Sequence, residues 1–440
     1  MSKRILSLLI AGITIILNST YAQQSYVHQV IVLNEGQYDY VSQTQITPVS
    51  IGAYDLLTKT YNVFDILEDI SFASDVIIDG DYIYVAADSL LLKYDKNSLN
   101  LDAVVTIEGI RKMAVWNNQI LITRGESMAL NSYFLAYDKN TLNLIYELDT
   151  ANGPTYTTEG VVVLNDTAYV AVSNAFVWGN EKGYIGLVDL NAQSYLEQID
   201  IMPDGKNPDN LMISGNKLYT LNNTDWTNSS ITEFNCLDRT FMTTSLSAPS
   251  GCGASVFADN NIYYHRYDYN NSFVDTNSTL NLFNITNQQV DTVYPSLLNV
   301  YGMADDYVNG QLYVTTTDFW SFGMAYIMQY DGSLIDSFAV GVSPGNLAID
   351  VRIVSNVNGL DKPKISVAPV PANDRIIISY PGLEGGIMRV YDMMGGLIKE
   401  LSLNRAGIDF ELDIHEFSNG MYLLSIEKDG STVSKRFIKS

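Results

Sequence analysis

The sequence predicts an all-β fold, a seven-bladed β-propeller followed by a small C-terminal β-sandwich. Three observations predict it. The composition is rich in strand and turn formers, with 30 Tyr and 30 Gly among 440 residues. A unit of about 40–50 residues recurs seven times along the middle of the chain. Short strand-like runs separated by Gly or Asn/Asp turns then occupy the last ~75 residues.

The composition excludes several classes of protein. The chain carries 25 Lys+Arg against 49 Asp+Glu, a formal net charge of -24, so nucleic acid and anionic lipid surfaces would repel it. With 47% hydrophobic residues it is too apolar to be disordered. Two Cys and three His exclude a disulfide scaffold and leave little basis for a zinc enzyme. We therefore predict no nucleic-acid partner and no metal site.

Residues 1–22 have the features of a secretory signal peptide. Lys3 and Arg4 form a basic start, the run from Ile5 to Leu17 is apolar, and Thr20-Tyr21-Ala22 fits a cleavage site. The alternative is a membrane anchor, but the apolar run of about 13 residues is shorter than the ~20 that a span needs. No Cys follows the run, so we predict neither a lipid anchor nor a membrane span after cleavage.

The repeated units occupy residues 23–354. In each unit an apolar strand, a short polar turn and a second strand precede a longer loop, and the third strand then ends in an aromatic-Asp pair or its equivalent. Seven such units with four strands each are typical of a propeller, whereas two stacked β-sandwiches do not explain seven equal units. The pairs are Tyr54-Asp55, Tyr94-Asp95, Tyr137-Asp138, Val188-Asp189, Phe234-Asn235, Phe283-Asn284 and Tyr330-Asp331.

The first and last units complete each other. Residues 345–351 match the first strand of a unit, whereas the run from Val30 to Asn34 matches a second strand. We therefore expect strand 345–351 to complete the first blade beside the N-terminal strand. That closure of the ring would remove the free sheet edges.

The loops that join second and third strands should share one face of the ring with the segments between blades. These loops are long and aromatic, while the opposite turns consist of ordinary turn formers such as Asn309-Gly310. Loops on a rigid scaffold often carry binding residues. Aromatic residues amid Asn and Asp suit a sugar, a tetrapyrrole or a peptide. The alternative is that these aromatics only pack the loops onto the blade tops.

The candidate ligand-binding residues come from these loops and from the interblade segments. Three cations among them, Arg111, Arg124 and Arg266, could meet a carboxylate or phosphate, or could balance local charge. The interblade segments, which we expect to ring the axis, are Ser74-Asp75, Arg111-Lys112, Thr158-Glu159, Pro208-Asp209-Asn210, Cys252-Gly253, Tyr301-Gly302-Met303 and Pro344-Gly345-Asn346. The full candidate set is Asn34, Glu35, Tyr38, Arg111, Arg124, Phe176, Trp178, Asn210, Asp225, Trp226, Arg266, Tyr267, Tyr301, Phe319 and Trp320.

No catalytic residues are predicted, and the sequence names no cofactor. The chain has no nucleophile elbow, metalloprotease helix, P-loop or dinucleotide motif, and its His residues lie far apart. Carboxylates are plentiful, so a glycosidase-type pair stays open. Cys236 and Cys252 should fall at opposite faces of the ring, beyond disulfide reach, so we expect two free thiols.

Residues 364–440 follow a linker at 355–363 and carry four motifs. These are Val370-Pro371-Ala372-Asn373-Asp374, Val390-Tyr391-Asp392-Met393-Met394-Gly395, Gly420-Met421-Tyr422-Leu423-Leu424 and Lys435-Arg436-Phe437-Ile438-Lys439. The set resembles the type A sorting domain of the type IX secretion system. The resemblance implies that this machinery is a partner and that a Gram-negative cell exports the cargo, released or surface-attached. The alternative for the last motif is a basic edge strand that opposes aggregation. The matching residues are Pro371, Asn373, Tyr391, Asp392, Gly395, Gly420, Tyr422, Lys435, Arg436 and Phe437.

A second resemblance lies at Val32-Leu33-Asn34-Glu35-Gly36-Gln37-Tyr38. This run is similar to the Asn-Glu-Gly opening of a family of surface propellers that is classed as a domain of unknown function and is related to YncE-like propellers. The repeat pattern extends the similarity over residues 28–351. Some members of that family bind cobalamin and cap an outer-membrane transporter. Those members are usually lipoproteins, whereas this chain has a sorting domain instead.

Together these observations predict a secreted or cell-surface protein that binds a small ligand, cobalamin-like, or a glycan on its aromatic loop face. One alternative is a platform for protein–protein interactions at the cell surface. A second alternative is a lyase or glycosidase that uses carboxylates of the propeller funnel.

Overall fold

The computed structural model describes residues 25–440 except 225–227, 247, 251–253, 268–277, 295–296, 298, 354–364, 381–382, 384, 394, 404–408 and 429–430. The described residues form strands and no helix, so the predicted all-β class is confirmed. One compact unit is Ser25–Arg352, and Ile353–Ser440 belongs to a second. The predicted signal peptide at 1–22 and linker at 355–363 lie outside the described residues.

The first unit contains seven four-stranded sheets, which are the blades of a propeller. In blades 2 to 7 the four strands follow one another in sequence and in space. Their bounds are β6 Ala73–Asp79, β7 Tyr82–Ala87, β8 Leu90–Asp95, β9 Leu101–Thr106; β10 Ile110–Trp116, β11 Gln119–Arg124, β12 Ser132–Asp138, β13 Leu144–Asp149; β14 Thr158–Leu164, β15 Thr167–Val172, β16 Tyr184–Asp189, β17 Ser194–Asp200; β18 Pro208–Ser214, β19 Lys217–Asn222, β20 Ser230–Asn235, β21 Phe241–Ser245; β22 Ser255–Ala258, β23 Asn261–Arg266, β24 Thr279–Asn284, β25 Val290–Tyr294; β26 Val300–Asp306, β27 Gln311–Thr316, β28 Phe322–Gln329, β29 Leu334–Val342.

Blade 1 combines the two ends of this unit. Its order is β30 Pro344–Ile353, β1 Ser25–Asn34, β4 Val49–Asp55 and β5 Thr60–Leu67, and the hairpin of β2 Gln37–Asp39 and β3 Thr44–Thr47 extends the connection from β1 to β4. The carboxylate of buried Asp350 on β30 accepts hydrogen bonds from Gln29 on β1 at 3.1 Å and from Arg352 at 2.7 Å. It also lies 3.6 Å from the Lys96 Nζ of blade 2. These contacts tie the last strand to the first strand and to the next blade.

The aromatic-Asp pairs of the sequence repeat lie at the ends of the third strands, or directly after the strand in blade 7, and cap the turn that follows. The Asp95 carboxylate accepts the backbone N–H groups of Asn97 at 3.0 Å and Ser98 at 2.7 Å. The next residue, Leu99, has a left-handed backbone with φ of 58° and donates its N–H to the Asp95 carbonyl at 2.8 Å. A side-chain acceptor therefore fixes the entry into the fourth strand. The same left-handed position recurs at Lys59, Leu142, Gln193, Arg239 and Gln288.

The hydrophobic core lies between neighbouring blades. Tyr84 and Leu91 of blade 2, for example, pack with Ile110, Ile120 and Leu135 of blade 3, and all five are buried. The second and third strands are buried along most of their length, whereas the fourth strands alternate exposed and part-buried residues. Each blade thus buries both faces of its middle strands against its neighbours, and the outermost strand is the most exposed to solvent.

The second unit contains two small sheets. Their strands are β31 Ser366–Ala368, β32 Arg375–Ser379 and β35 Asp409–Asp413 in one sheet, and β34 Leu397–Ser402, β33 Ile387–Asp392, β36 Gly420–Lys428 and β37 Ser431–Lys439 in the other. Both sheets contribute to one core, with Ile376 and Leu412 from the first and Val390, Leu424 and Phe437 from the second. The described part of the chain includes no helix of a length and hydropathy that would cross a membrane.

Candidate functional site

One face of the propeller opens into an axial cavity of about 1110 Å³. Two kinds of segment line it: the starts of the innermost strands, including Asp75, Arg111 and Asn210, and loops after second strands, including Glu35 and Phe176. Both kinds of segment therefore lie on one face of the ring. A cavity of this size can hold a ligand of several sugar units or a comparable small molecule.

The floor of the cavity is a cluster of six charged residues from five blades: Glu35, Asp75, Arg111, Lys112, Glu159 and Asp209. Arg111 Nε lies 3.1 and 3.2 Å from the two carboxylate oxygens of buried Glu159. Its guanidinium lies 5.9 Å from the Phe72 ring centre and 5.4 Å from that of Phe176. Arg111 is thus held by one ion pair and two aromatic faces.

Lys112 bridges three inner strands of the floor. Its Nζ donates to the Ser74 carbonyl at 2.6 Å and to the Asn346 side-chain oxygen at 2.9 Å, and it lies 3.9 Å from an Asp75 oxygen. Burial raises the pKa of the Asp75 carboxyl, while the nearby Lys112 charge opposes that rise. The ammonium of Lys112 is therefore already coordinated by the protein.

Glu35 enters the cavity from the Asn-Glu-Gly run. One carboxylate oxygen accepts a 2.8 Å hydrogen bond from the Tyr301 hydroxyl. Burial raises the pKa of Glu35 to about 7, although Tyr301, Arg111 and Lys112 act in the opposite direction. Gly36 has a left-handed φ of 70°, and a Cβ there would lie 2.2 Å from the Thr47 carbonyl oxygen. Glycine is therefore required for the turn that presents Glu35.

Asp209 lies in the inner strand of blade 5. Burial and the neighbouring Glu159 charge raise the pKa of Asp209 to about 6, although Lys112 and Arg111 lower it. One Asp209 oxygen accepts a 3.1 Å hydrogen bond from the Asn223 side-chain amide. The next residue, Asn210, lines the cavity and donates to the Ser255 carbonyl at 2.8 Å.

Aromatic residues surround the opening of the cavity, and we call them the rim. Tyr40, Phe176 and Trp178 line the cavity, whereas Phe319 and Trp320 lie beyond its lining, in the loop after β27 on the same face. Tyr40, Trp178 and Trp320 are 69%, 74% and 73% exposed. Phe319 packs edge-on against the Tyr301 ring at 5.1 Å, which links the rim to the hydroxyl that holds Glu35. Large exposed aromatics on one face are typical of a surface that binds another molecule.

The structure brings together six of the residues predicted from the sequence and places others outside the cavity. Glu35, Arg111, Phe176, Trp178, Asn210 and Tyr301 line it. Phe319 and Trp320 do not line it, although Phe319 contacts the lining residue Tyr301. Tyr38 packs edge-on against rim residue Tyr40 at 5.0 Å. Asp225 and Trp226 lie outside the described residues.

The remaining candidates do not line the cavity. Asn34 is fully buried and donates to the Ser50 carbonyl and the Tyr61 hydroxyl. Arg124 donates to the backbone carbonyls of Glu108 and Ser132, which fixes a loop. Tyr267 is buried against the His265 ring at 4.1 Å, and the part-buried Arg266 ends β23. The structure therefore assigns packing roles to Asn34, Arg124 and Tyr267.

Several cavity residues were missed by sequence reasoning. Tyr40 lies in the turn of the β2–β3 hairpin, and Phe72 lies directly before inner strand β6. Lys206 and Glu181 form an ion pair of 2.9 Å, and both line the cavity, as Glu126 does. Lys206 lies two residues before the predicted interblade segment at Pro208, and that proximity was the available signal.

Among the described residues no group of three His, Cys, Asp or Glu could hold a metal ion. Cys236 is a free thiol, and Cys252 lies outside the described residues.

The four sorting motifs meet in the second unit. Tyr391, Asp392, Gly395 and Arg436 line one groove of about 400 Å³. In the sheet register Tyr422 pairs with both Asp392 and Phe437, and Tyr422 stacks on the buried Phe437 ring. The other motif residues lie in or beside the same sheet. The backbone of Ala372 bonds to the last strand beside Pro371, Asn373 contacts Ser440 at 2.9 Å, Gly420 begins β36, and Lys435 lies in β37.

Comparison with known proteins shows one family and one fold. The secretion system C-terminal sorting domain matches residues 366–440, and no curated protein matches the chain. A hypothetical selenium-binding protein from Sulfolobus tokodaii has a TM-score of 0.56 at 10% identity over 74% of this chain and 94% of that one. A quinoprotein alcohol dehydrogenase-like protein from Bacteroides thetaiotaomicron has a TM-score of 0.53 at 13% identity over 74% and 79%. At these identities the likeness concerns the fold alone.

The sorting domain determines where the protein goes. It marks proteins that the type IX secretion system exports to the cell surface or the extracellular space. The chain is therefore a secreted or cell-surface protein that carries a propeller, and the secretion machinery is one of its partners.

Proposed function

We propose that this chain is an exported binding protein whose propeller holds a small ligand, a glycan or a cobalamin-like molecule, in the axial cavity. The observation that carries the proposal is the cavity itself. Its charged floor is assembled from five blades, and its rim presents exposed aromatics above that floor. A polar base under apolar faces suits a ligand that is polar along its edges and flat or apolar on its faces.

The Asn-Glu-Gly resemblance supports the same proposal. Asn34 anchors the turn, Gly36 permits its left-handed backbone, and Glu35 between them lines the cavity. The run that resembles the surface-propeller family, which includes cobalamin-binding members, therefore helps to build the site. Cobalamin belongs in the ligand panel for this reason.

The test is calorimetry with the exported chain against neutral and charged oligosaccharides and cobalamin. Trp178→Ala removes a rim side chain, and Tyr307→Ala is the matched control, because Tyr307 is 67% exposed in the turn between β26 and β27. We expect at least one ligand to bind, with about tenfold weaker affinity in Trp178→Ala and unchanged affinity in the control. Absence of binding across the panel, or equal loss in both variants, contradicts the proposal.

A specific observation favours an enzyme as the second candidate. A carboxyl group with a pKa near 7 can donate and accept protons at neutral pH, and Glu35 has this property in a cavity that also carries the Tyr301 hydroxyl. The corresponding reaction class is that of a lyase or glycosidase. Turnover of a polysaccharide panel, abolished in Glu35→Gln, would establish an enzyme over binding alone.

The exposed rim also suits a platform for protein–protein interactions. Pull-downs with the Trp178→Ala variant would test this alternative.

A further inference from the structure

The floor of the cavity has more carboxyl groups than its cations neutralise. Arg111 is paired with Glu159, and Lys112 lies beside Asp75. Glu35 and Asp209 receive hydrogen bonds from Tyr301 and Asn223, which are uncharged donors. Among the described residues no Lys or Arg nitrogen forms an ion pair with either of them. Within that part of the chain, two carboxyl groups thus face the cavity without an ion pair of their own, although the charges of Arg111 and Lys112 act on both from further away.

The aromatic residues that line the cavity also favour a positively charged ligand, for a separate reason. Tyr40, Phe72, Phe176, Trp178 and Tyr301 all line it. The face of an aromatic ring carries a negative quadrupole and attracts cations. Two of these rings already flank a cation, because the Arg111 guanidinium lies within 6 Å of the centres of Phe72 and Phe176. Carboxyl groups and ring faces therefore act together on whatever enters.

We infer that the axial cavity selects a ligand that carries a primary ammonium group, which Glu35 or Asp209 accepts while an aromatic wall covers its carbon atoms. This inference rests on the proposed binding function and narrows its ligand class. An ammonium group supplies three hydrogen-bond donors and the positive charge that the floor lacks. An anionic ligand would meet the unpaired carboxylates and be repelled. An amino sugar and a lysine side chain both offer this chemistry.

The experiment uses two pairs of probes that differ only in acetylation. One pair is the tetramer of glucosamine and the tetramer of N-acetylglucosamine; the other is tetralysine and its fully acetylated form. Calorimetry at pH 6.5 and pH 7.5 measures each affinity with the full exported chain. The lower pH is included because the amine of a glucosamine unit is less basic than that of lysine and is only partly charged at pH 7.5. We expect at least one free amine to bind about tenfold or more tightly than its acetylated partner, the usual effect of a charge-assisted hydrogen bond. The pair that shows the difference identifies the source of the amine.

Variants locate the effect in the floor. Glu35→Gln and Asp209→Asn keep the shape of each side chain and its acceptor oxygen, so the hydrogen bonds from Tyr301 and Asn223 can persist. We expect one or both to reduce the preference for the free amine several-fold while the acetylated probe is unaffected. Glu147→Gln, at an exposed position of outer strand β13, is the matched control. Thermal unfolding of each variant shows whether it folds.

The pH dependence adds a readout that needs no variant. Tyr301, Tyr40, Arg111 and Lys112 face Glu35, and Glu159, Arg111 and Lys112 face Asp209. The ordinary pKa of a lysine side-chain amine is about 10.4, so the four side-chain ammonium groups of tetralysine stay charged between pH 5 and 8. Its α-amino group, with an ordinary pKa of about 8, gains a proton towards pH 5 and can only strengthen binding there, so a fall in affinity reports titration of the protein. We expect its affinity to fall about tenfold or more from pH 8 to pH 5, because only the ionised fraction of the carboxyl groups binds it.

Three results overturn the inference. Equal binding of free and acetylated probes would show that the ammonium group is not recognised, while the proposed binding function stands. Loss of preference in Glu147→Gln to the same degree as in the floor variants would remove the assignment to Glu35 and Asp209. Failure of every probe, when a neutral ligand or cobalamin does bind, would also refute the ammonium class without refuting ligand binding.

Discussion

Replacing Glu35 by Gln should make the unliganded propeller more stable at pH 8 and leave it nearly unchanged at pH 5. Burial in the cavity raises the pKa of Glu35 from its ordinary 4.5 to about 7. The folded protein therefore binds a proton at Glu35 more tightly than the unfolded chain does. The resulting stabilisation is fully present below about pH 4.5 and is lost as the pH rises through about 7. The glutamine side chain cannot ionise, so it avoids this loss.

The size of the effect follows from the pKa change. One pKa unit corresponds to about 1.4 kcal/mol, so the rise from 4.5 to about 7 corresponds to about 3 kcal/mol at full effect. The cavity is open to solvent, which reduces the cost of the charge, and we expect a gain of about 1–3 kcal/mol at pH 8. The bond from Tyr301 persists because the amide oxygen of the introduced glutamine can accept it, so little opposes the gain.

Urea unfolding of both proteins at pH 5 and pH 8 measures the difference. We expect the variant's advantage in free energy of unfolding to grow from near zero at pH 5 to its full value at pH 8, with a higher melting temperature by a few °C at pH 8. Glu147→Gln should show no such trend. A variant that is less stable at pH 8, or an advantage that does not change with pH, would refute the conclusion that burial of Glu35 outweighs the effects of Tyr301, Arg111 and Lys112.

Three further predictions concern stability and export. Asp350→Ala should lower the free energy of unfolding of the propeller by about 2–4 kcal/mol in urea, because it leaves the Lys96 and Arg352 charges at the ring closure without their buried partner. Asp336→Ala breaks only a surface ion pair with Lys59 and should cost much less, and equal costs would contradict this view of the closure. Gln193→Gly should raise the melting temperature slightly. The exposed Gln193 has a left-handed backbone with φ of 53°, and glycine adopts this backbone without the strain of about 1 kcal/mol that a side chain brings. A loss of stability in the variant would refute this prediction. Phe437→Ala should cost about 3–5 kcal/mol in the sorting domain and reduce secreted protein in culture fractions. The change Glu416→Ala at an exposed position should leave secretion unchanged, and normal export of both variants would show that the buried ring is not needed.

Much of the fold could be predicted because its signals are local. A third strand that ends in Tyr-Asp places a side-chain acceptor where the next turn needs one, as Asp95 shows, and this requirement recurs from blade to blade. The sequence did not reveal the left-handed residues that complete these turns, since Leu99 and Gln193 are not among the residues that usually adopt that backbone. The hydrogen bonds of the turn itself hold the left-handed backbone, as the bond from the Leu99 N–H to the Asp95 carbonyl shows.

The candidate site could be predicted only in part. The interblade segments identified the residues around the axis, and Asp75, Arg111, Lys112 and Asp209 do line one cavity. Arg124 was an equally good candidate in the sequence, but two backbone carbonyls from neighbouring segments occupy its guanidinium. Asn34 and Glu35 are adjacent, yet the first is fully buried and only the second lines the cavity. The burial of Asn34 and the hydrogen bonds of Arg124 both depend on contacts with other segments of the chain.

The sequence by itself determined the number of blades, the turns between their strands and the sorting domain, because each follows from residue types at short, repeated spacing. Only the tertiary structure decided which charges share the cavity floor and which remain without a partner. Glu35, Glu159 and Asp209 come from three different blades, and their burial and pairing depend on how those blades are arranged around the axis. The cost of placing a carboxyl group there depends on the neighbours that the closed ring supplies, and these come from distant parts of the chain.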